Sequence, residues 1–276
     1  MINTNGTMYT FGCSLTSYNW PTWADILGKE FKKFENWGRP GAGNNFIFNS
    51  LIECLSRNQI SKNDTIIIMW SGITRIDYYQ MNEWSHYHSV FSKDLPVSCP
   101  YGAEVISYAL FCAADKLLSS LGVNYYMLSF LEYDADSAAG LLYKSTLDKI
   151  TKINFTIVEK EVAITAQHKL IDVYNRFAGT EWPKLEEIFK YDKNQYSTDI
   201  NTEVTEFIDL LNQNKHLYFT KIVNDSHPTP IEHLEAINTV FKISFKESTK
   251  NWAKEIDQKI RNKESYFFNK LAPERL

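Results

Sequence analysis

The order of elements along the chain predicts an α/β fold of three layers, a mostly parallel sheet with helices on both faces. Three observations carry this. Short β-favouring runs alternate with stretches of helical spacing through about residue 130. Residues 65–70 (Thr-Ile-Ile-Ile-Met-Trp) form a continuous apolar run, as expected of a strand covered on both faces. The 276 residues are enough to bury one large core.

Residues 8–11 are short, apolar and β-favouring, and break at Gly12, which predicts a first strand ending in a tight turn. Trp23, Ile26, Leu27, Phe31 and Phe34 then share one helical face, so a helix is expected over residues 20–34 with Pro21 in its first turn. A short strand near 34–37 leads into a glycine-rich corner at 38–43. A helix at 44–57 follows, with Phe48, Leu51, Ile52 and Leu55 as its stripe. After the 65–70 strand, a helix is expected at 103–121 and a strand at 124–130.

The rhythm breaks at residues 131–215, which read as a helical insertion with amphipathic stretches near 139–152, 159–177 and 203–211. Residues 217–219 form the last short strand, 225–230 a loop and 231–241 a helix. The expected organisation is one domain over 1–245, containing that insertion, and a helical tail over 246–276. In the tail, Trp252, Ile256 and Ile260 recur every four residues, a stripe that docks on the body of the protein; a homodimer contact is the alternative.

Composition narrows the functional classes. The net charge is −4 and the lysines are scattered among acids, so the phosphate-binding surface that nucleic acid requires is absent. No apolar run is long enough to span a bilayer, and the first twenty residues lack the pattern of a secretory signal. The four cysteines form no C-x-x-C pair, which suits free thiols in a reducing cytoplasm.

Three segments carry chemistry, and each follows an expected strand, where open parallel sheets bind ligands. In Gly12-Cys13-Ser14-Leu15-Thr16, a serine on the turn after the first strand presents its hydroxyl at the sheet edge; it needs a neighbouring base to act as a nucleophile. The bland alternative is a capping serine. The corner from Asn36 to Asn45 contains Gly38, Gly41 and Gly43, whose amides could approach a reacting oxygen; a simple turn is the alternative. In Asn224-Asp225-Ser226-His227-Pro228, an acid and an imidazole two positions apart point the same way from extended backbone, so the carboxylate can orient the ring.

Together these blocks resemble the SGNH (GDSL) hydrolases: Gly12 to Thr16 resembles the first block, with Cys13 at a usual aspartate. Asn36 and Gly41 have the spacing of the second, and Asp225-Ser226-His227-Pro228 is similar to the last. The resemblance implies a flavodoxin-like SGNH hydrolase fold and a serine esterase with Ser14, Asp225 and His227 as triad. Its oxyanion hole would use the amides of Ser14 and Gly41. Two departures matter. Asn224 occupies the acid position of the commoner last block and competes with Asp225. After residues 66–70 the family's Gly-x-Asn is replaced by Ser71-Gly72-Ile73-Thr74-Arg75, so Thr74 is assigned as third donor, with Ser71 and Asn44 as alternatives. The Gly-x-Ser-x-Gly elbow of α/β-hydrolases is absent around Ser14.

Asn44, Arg75, Tyr78 and Trp84 are assigned to substrate binding, the last two from an aromatic segment at 77–91 that should border the site. His86 and His88 alternate near Glu83, but a metal needs three or four ligands and no others join them, so no metal or cofactor is assigned. His233 is the reserve base. The expected reaction is hydrolysis of small acyl esters, O-acetyl groups on a carbohydrate among them. An O-acyltransferase with the same triad, or a carbohydrate- or protein-binding module with a decayed site, are the alternatives.

Overall fold

The computed structural model describes residues 2–80, 83–91, 99–166 and 219–263. Its centre is a parallel five-stranded sheet of β1 (Thr7–Phe11), β2 (Lys33–Asn36), β3 (Thr65–Trp70), β6 (Asn124–Ser129) and β7 (Ile150–Lys152), in the order β2-β1-β3-β6-β7. Counted within the sheet this is 2-1-3-4-5, the flavodoxin-like order. The chain leaves β1 in one direction to make β2, then crosses back over β1 to make β3. Right-handed crossovers in opposite directions place their helices on opposite faces. Accordingly α2 (Asn44–Arg57), α3 (Pro100–Leu121) and α4 (Ala138–Leu147) pack in series, and α1 (Trp23–Gly28), α5 (Pro230–Phe241) and α6 (Glu247–Arg261) form a second series. Between them Ile66, Ile67, Ile68, Met69 and Trp70 are wholly buried. The three-layer α/β expectation holds.

Several local expectations are corrected. The first helix is only α1: Thr22 caps it, its backbone N–H meeting the Asp25 carboxylate at 2.8 Å, so Pro21 lies before the helix. It ends at Gly28, where the Phe34 ring leaves no space for a Cβ, and Phe34 itself belongs to β2. The helix expected over 139–152 stops at Leu147, and the chain re-enters the sheet as β7. Residues 160–166, expected to be helical, form β8 (Lys160–Ala166), which pairs antiparallel with β9 (Phe219–Asp225) in a ribbon separate from the main sheet. The last strand before the His227 loop is therefore not a strand of the central sheet. The rest of the 159–177 stretch and the helix expected at 203–211 lie outside the described residues.

The aromatic segment after β3 is a hairpin of β4 (Arg75–Gln80) and β5 (Glu83–Ser89). In the tail, Ile256 and Ile260 are buried against Trp20 and Val162, with Trp252 packed beside them, so the stripe docks on the body of the chain. No helix among the described residues is long and apolar enough to cross a membrane.

Candidate active site

Ser14 sits in the loop that follows β1, at the point where the sheet order reverses and loops diverge to either side. The loop is fixed by its own backbone. The Cys13 carbonyl accepts from Thr16 N at 2.9 Å and Ser17 N at 3.0 Å, closing a turn around Ser14. Gly12 permits that turn, because a Cβ there would lie 2.1 Å from Thr16 Oγ1. The Thr16 carbonyl accepts from the Thr22 hydroxyl at 2.6 Å and from the Asn36 amide at 2.8 Å. Ser14 itself is largely buried, between the buried Cys13 and Leu15.

The glycine corner joins this loop directly. Arg39 N donates to the Gly12 carbonyl at 2.9 Å, and Asn36, the last residue of β2, accepts from Gly38 N at 3.0 Å. Asn36 therefore braces the serine turn and the corner at once. Of the three corner glycines, two amides are occupied: Gly38 by Asn36, and Gly43 by the Asp77 carboxylate at 2.8 Å and 2.9 Å. Gly41 is left as the corner's candidate oxyanion donor. It has φ +79°, open to glycine, and the Tyr87 ring lies where its Cβ would be.

The third segment reaches the first through two aromatic residues that sequence reasoning missed. The Tyr18 hydroxyl donates to Asp225 Oδ2, and the Tyr18 ring stacks on His227 with centroids 3.8 Å apart and planes 17° from parallel. Trp20 Nε1 donates to the Pro228 carbonyl at 2.7 Å. Tyr18 and Trp20 leave one signal in the sequence, two aromatics within six positions of Ser14 in the loop that follows the first strand. Their partners lie 207 and 208 positions away, so no local pattern identifies them.

Asp225 and His227 pair as the spacing predicts. Asp225 Oδ1 lies 2.8 Å from His227 Nδ1 and accepts from the His227 backbone N–H at 2.7 Å. Burial opposes the charge on Asp225, but the hydrogen bonds from His227 and Tyr18 outweigh it and hold the carboxyl below its ordinary range. A carboxylate can only accept, so Nδ1 carries the hydrogen, which in the neutral ring leaves the lone pair on Nε2. Burial, followed by the bond to Asp225, pushes the Tyr18 hydroxyl well above the usual tyrosine value, so it remains a donor. The His227 loop has a second brace in Lys160, whose Nζ donates to the His227 carbonyl and to Glu232, each at 3.0 Å. Asn224, the competing acid, pairs with Glu161 in the ribbon register.

The remaining assigned residues fall around the corner. Asn44 is buried, its Oδ1 accepting from Ser71 N at 2.8 Å and its amide donating to the Ser71 carbonyl and the Ser107 hydroxyl, each at 3.1 Å. That geometry ties the end of β3 to α3 and leaves neither the Asn44 amide nor Ser71 N for an oxyanion. Thr74 lies in the turn that follows, its carbonyl accepting from Val90 N at 2.9 Å. Arg75 Nη1 reaches the Ala42 carbonyl at 3.5 Å, while Trp84 packs on Phe46 and Tyr78 against His88. His86 Nδ1 lies 2.9 Å from Asp77 and His88 Nε2 2.8 Å from the Ser85 hydroxyl. Among the described residues no cluster of three or more His, Cys, Asp or Glu could hold a metal. His233 is wholly buried in α5 against the Phe155 ring.

The serine turn and the glycine corner are thus joined directly, and the acid–imidazole pair reaches the same loop through Tyr18 and Trp20. No family model matches the chain, and no curated protein matches it. Among solved structures, a member of the lipolytic protein G-D-S-L family from Veillonella parvula is similar over 54% of this chain and 77% of its own, with 16% identity and a TM-score of 0.31.

Proposed function

We propose that the protein is a serine-dependent acyl-ester hydrolase of the SGNH type. The observation that carries this reading is the Asp225–His227 pair, held by Tyr18 from the same loop that presents Ser14. His227 Nε2 takes the Ser14 proton as the hydroxyl oxygen attacks the ester carbonyl, and Asp225 orients and stabilises the imidazolium. The backbone N–H groups of Ser14 and Gly41 hold the oxyanion, with Thr74 as third donor. As the tetrahedral intermediate collapses, the imidazolium protonates the departing alcohol. Water, deprotonated by the same imidazole, then attacks the acyl carbonyl, and the imidazolium returns the proton to Ser14 Oγ as the carboxylic acid departs. Ser14 is enclosed by buried neighbours, which favours a small acyl group such as acetyl.

A fluorophosphonate tests the reading. Covalent labelling of Ser14, lost in Ser14→Ala and strongly slowed in His227→Ala, is expected, together with hydrolysis of p-nitrophenyl acetate by the unmodified chain. Labelling elsewhere, or turnover that survives Ser14→Ala, removes Ser14 from the chemistry.

A further inference from the structure

Tyr87 is the residue whose geometry folding does not explain. In the β4–β5 hairpin Ile76 pairs with His88 but Tyr78 pairs with Ser85, so His86 and Tyr87 together face the single residue Asp77. This is a β-bulge, a feature that re-aims side chains and often borders active sites. The bulge turns His86 to the Asp77 carboxylate and Tyr87 to the glycine corner, where Tyr87 N approaches the Gly41 carbonyl at 3.4 Å.

To do so Tyr87 adopts φ +69°, a left-handed conformation costly for a bulky side chain and free for glycine. Burial does not compensate, because Tyr87 is 70% exposed. A strained residue whose side chain remains in water marks a functional constraint more readily than a structural one. Its ring covers Gly41, the candidate oxyanion donor. The ring is therefore a platform on the lip of the site.

We infer that Tyr87 binds the alcohol portion of the substrate by stacking on the C–H face of a sugar ring, making the site one for acylated carbohydrate. This rests on the hydrolase reading above. An acyl chain needs an enclosed apolar slot, whereas this ring is open to solvent. A pyranose suits such a surface: its C–H face covers the aromatic ring while its hydroxyls stay hydrated.

Direct binding tests this without turnover. Protein carrying Ser14→Ala is titrated with methyl glucoside, galactoside and mannoside, each bearing one O-acetyl group, and with propyl acetate and methyl butyrate, by saturation-transfer NMR. At least one glycoside is expected to bind more tightly than propyl acetate. Adding Tyr87→Gly should weaken that glycoside about tenfold, whereas Tyr87→Phe should retain it. Tyr87→Gly also relieves the backbone, so its melting temperature should equal or exceed that of the parent, which separates lost binding from lost folding. The inference is overturned if no glycoside binds, if Tyr87→Gly binds it unchanged, or if the loss falls on methyl butyrate instead. Failure of the hydrolase reading shows separately, as absence of fluorophosphonate labelling at Ser14.

Discussion

Among the described residues two aspartate–histidine pairs stand within hydrogen-bond distance, and their difference shows what converts such a pair into a catalytic candidate. In Asp225–His227 the imidazole side chain is 30% exposed and stacked on Tyr18 in a loop joined to the serine turn. In Asp77–His86 both side chains are nearly sealed, at 0% and 4% exposure. The distances are alike, 2.8 Å and 2.9 Å. The surroundings are not. Asp77 spends its carboxylate on the N-terminus of α2, accepting from Gly43 N and, at 3.1 Å, Phe46 N, while His86 Nε2 is buried without a hydrogen-bond partner among the described residues, its ring against the edge of Phe46. On the proposed reading the first pair serves Ser14, whereas the second caps a helix and anchors a hairpin.

The sharpest way to break this distinction is to remove each imidazole. His227→Ala should lower ester turnover by at least about 10⁴-fold with little change in melting temperature, since a triad base is hard to replace. His86→Ala should do the opposite, losing stability and keeping most of its turnover. If both variants lost turnover equally, the assignment of roles would fail.

Next in size is the carboxylate that holds the corner. Asp77→Ala leaves three donors unsatisfied in a buried region and should cost roughly 2–4 kcal/mol, read as a fall in denaturant midpoint. Asp77→Asn keeps the acceptor and should recover part of that. A neutral Asp77→Ala would show that the helix end is satisfied by water.

Of these two pairs only one was legible in the sequence. Asp225 and His227 announce themselves by proximity in a strand-following loop, as do Ser14 and the glycines of the corner. Buried parallel strands such as β3 read clearly because their whole pattern is local. Asp77 and His86 meet only because a bulge shifts the hairpin register, and pattern alone reveals neither hairpin nor bulge. The β8–β9 ribbon differs from the helix expected there for a related reason: the alternation of Val162 and Ile164 is too short to decide by itself, and the deciding partners lie near position 223. Tyr18 was illegible for the same cause, its role existing only across 207 positions.

Tyr18 sharpens the comparison further, because among the described residues no stacked tyrosine donates to the acid of Asp77–His86. Tyr18→Phe keeps the ring on His227 and removes one hydrogen bond to a charged group, worth about 1.5–3 kcal/mol. Turnover should fall by less than in Asp225→Ala, and the acidic limb of the rate profile should move to higher pH as the carboxyl loses a donor. If Tyr18→Phe leaves that limb in place, the tyrosine serves packing alone.

The smallest expected effect concerns stability in acid. Asp225 is held below its ordinary range in the folded chain, so it binds a proton more readily when unfolded. Its contribution is therefore fully present above the unfolded carboxylate value, about pH 4, and is lost as pH falls through the lower folded value. Asp64 and Asp115 are also depressed, each held against burial by hydrogen bonds, and Glu132 and Glu161 are lowered by their lysine partners, so acid unfolding is not the work of Asp225 alone. The informative quantity is the difference between the unmodified chain and Asp225→Asn. The variant should be less stable at neutral pH, and the gap should narrow on acidification as Asp225 becomes neutral like its amide replacement. A gap that stayed constant from pH 7 to pH 3 would mean that the charge on Asp225 contributes nothing to holding the His227 loop, leaving Trp20, Lys160 and the docked tail helix to do so.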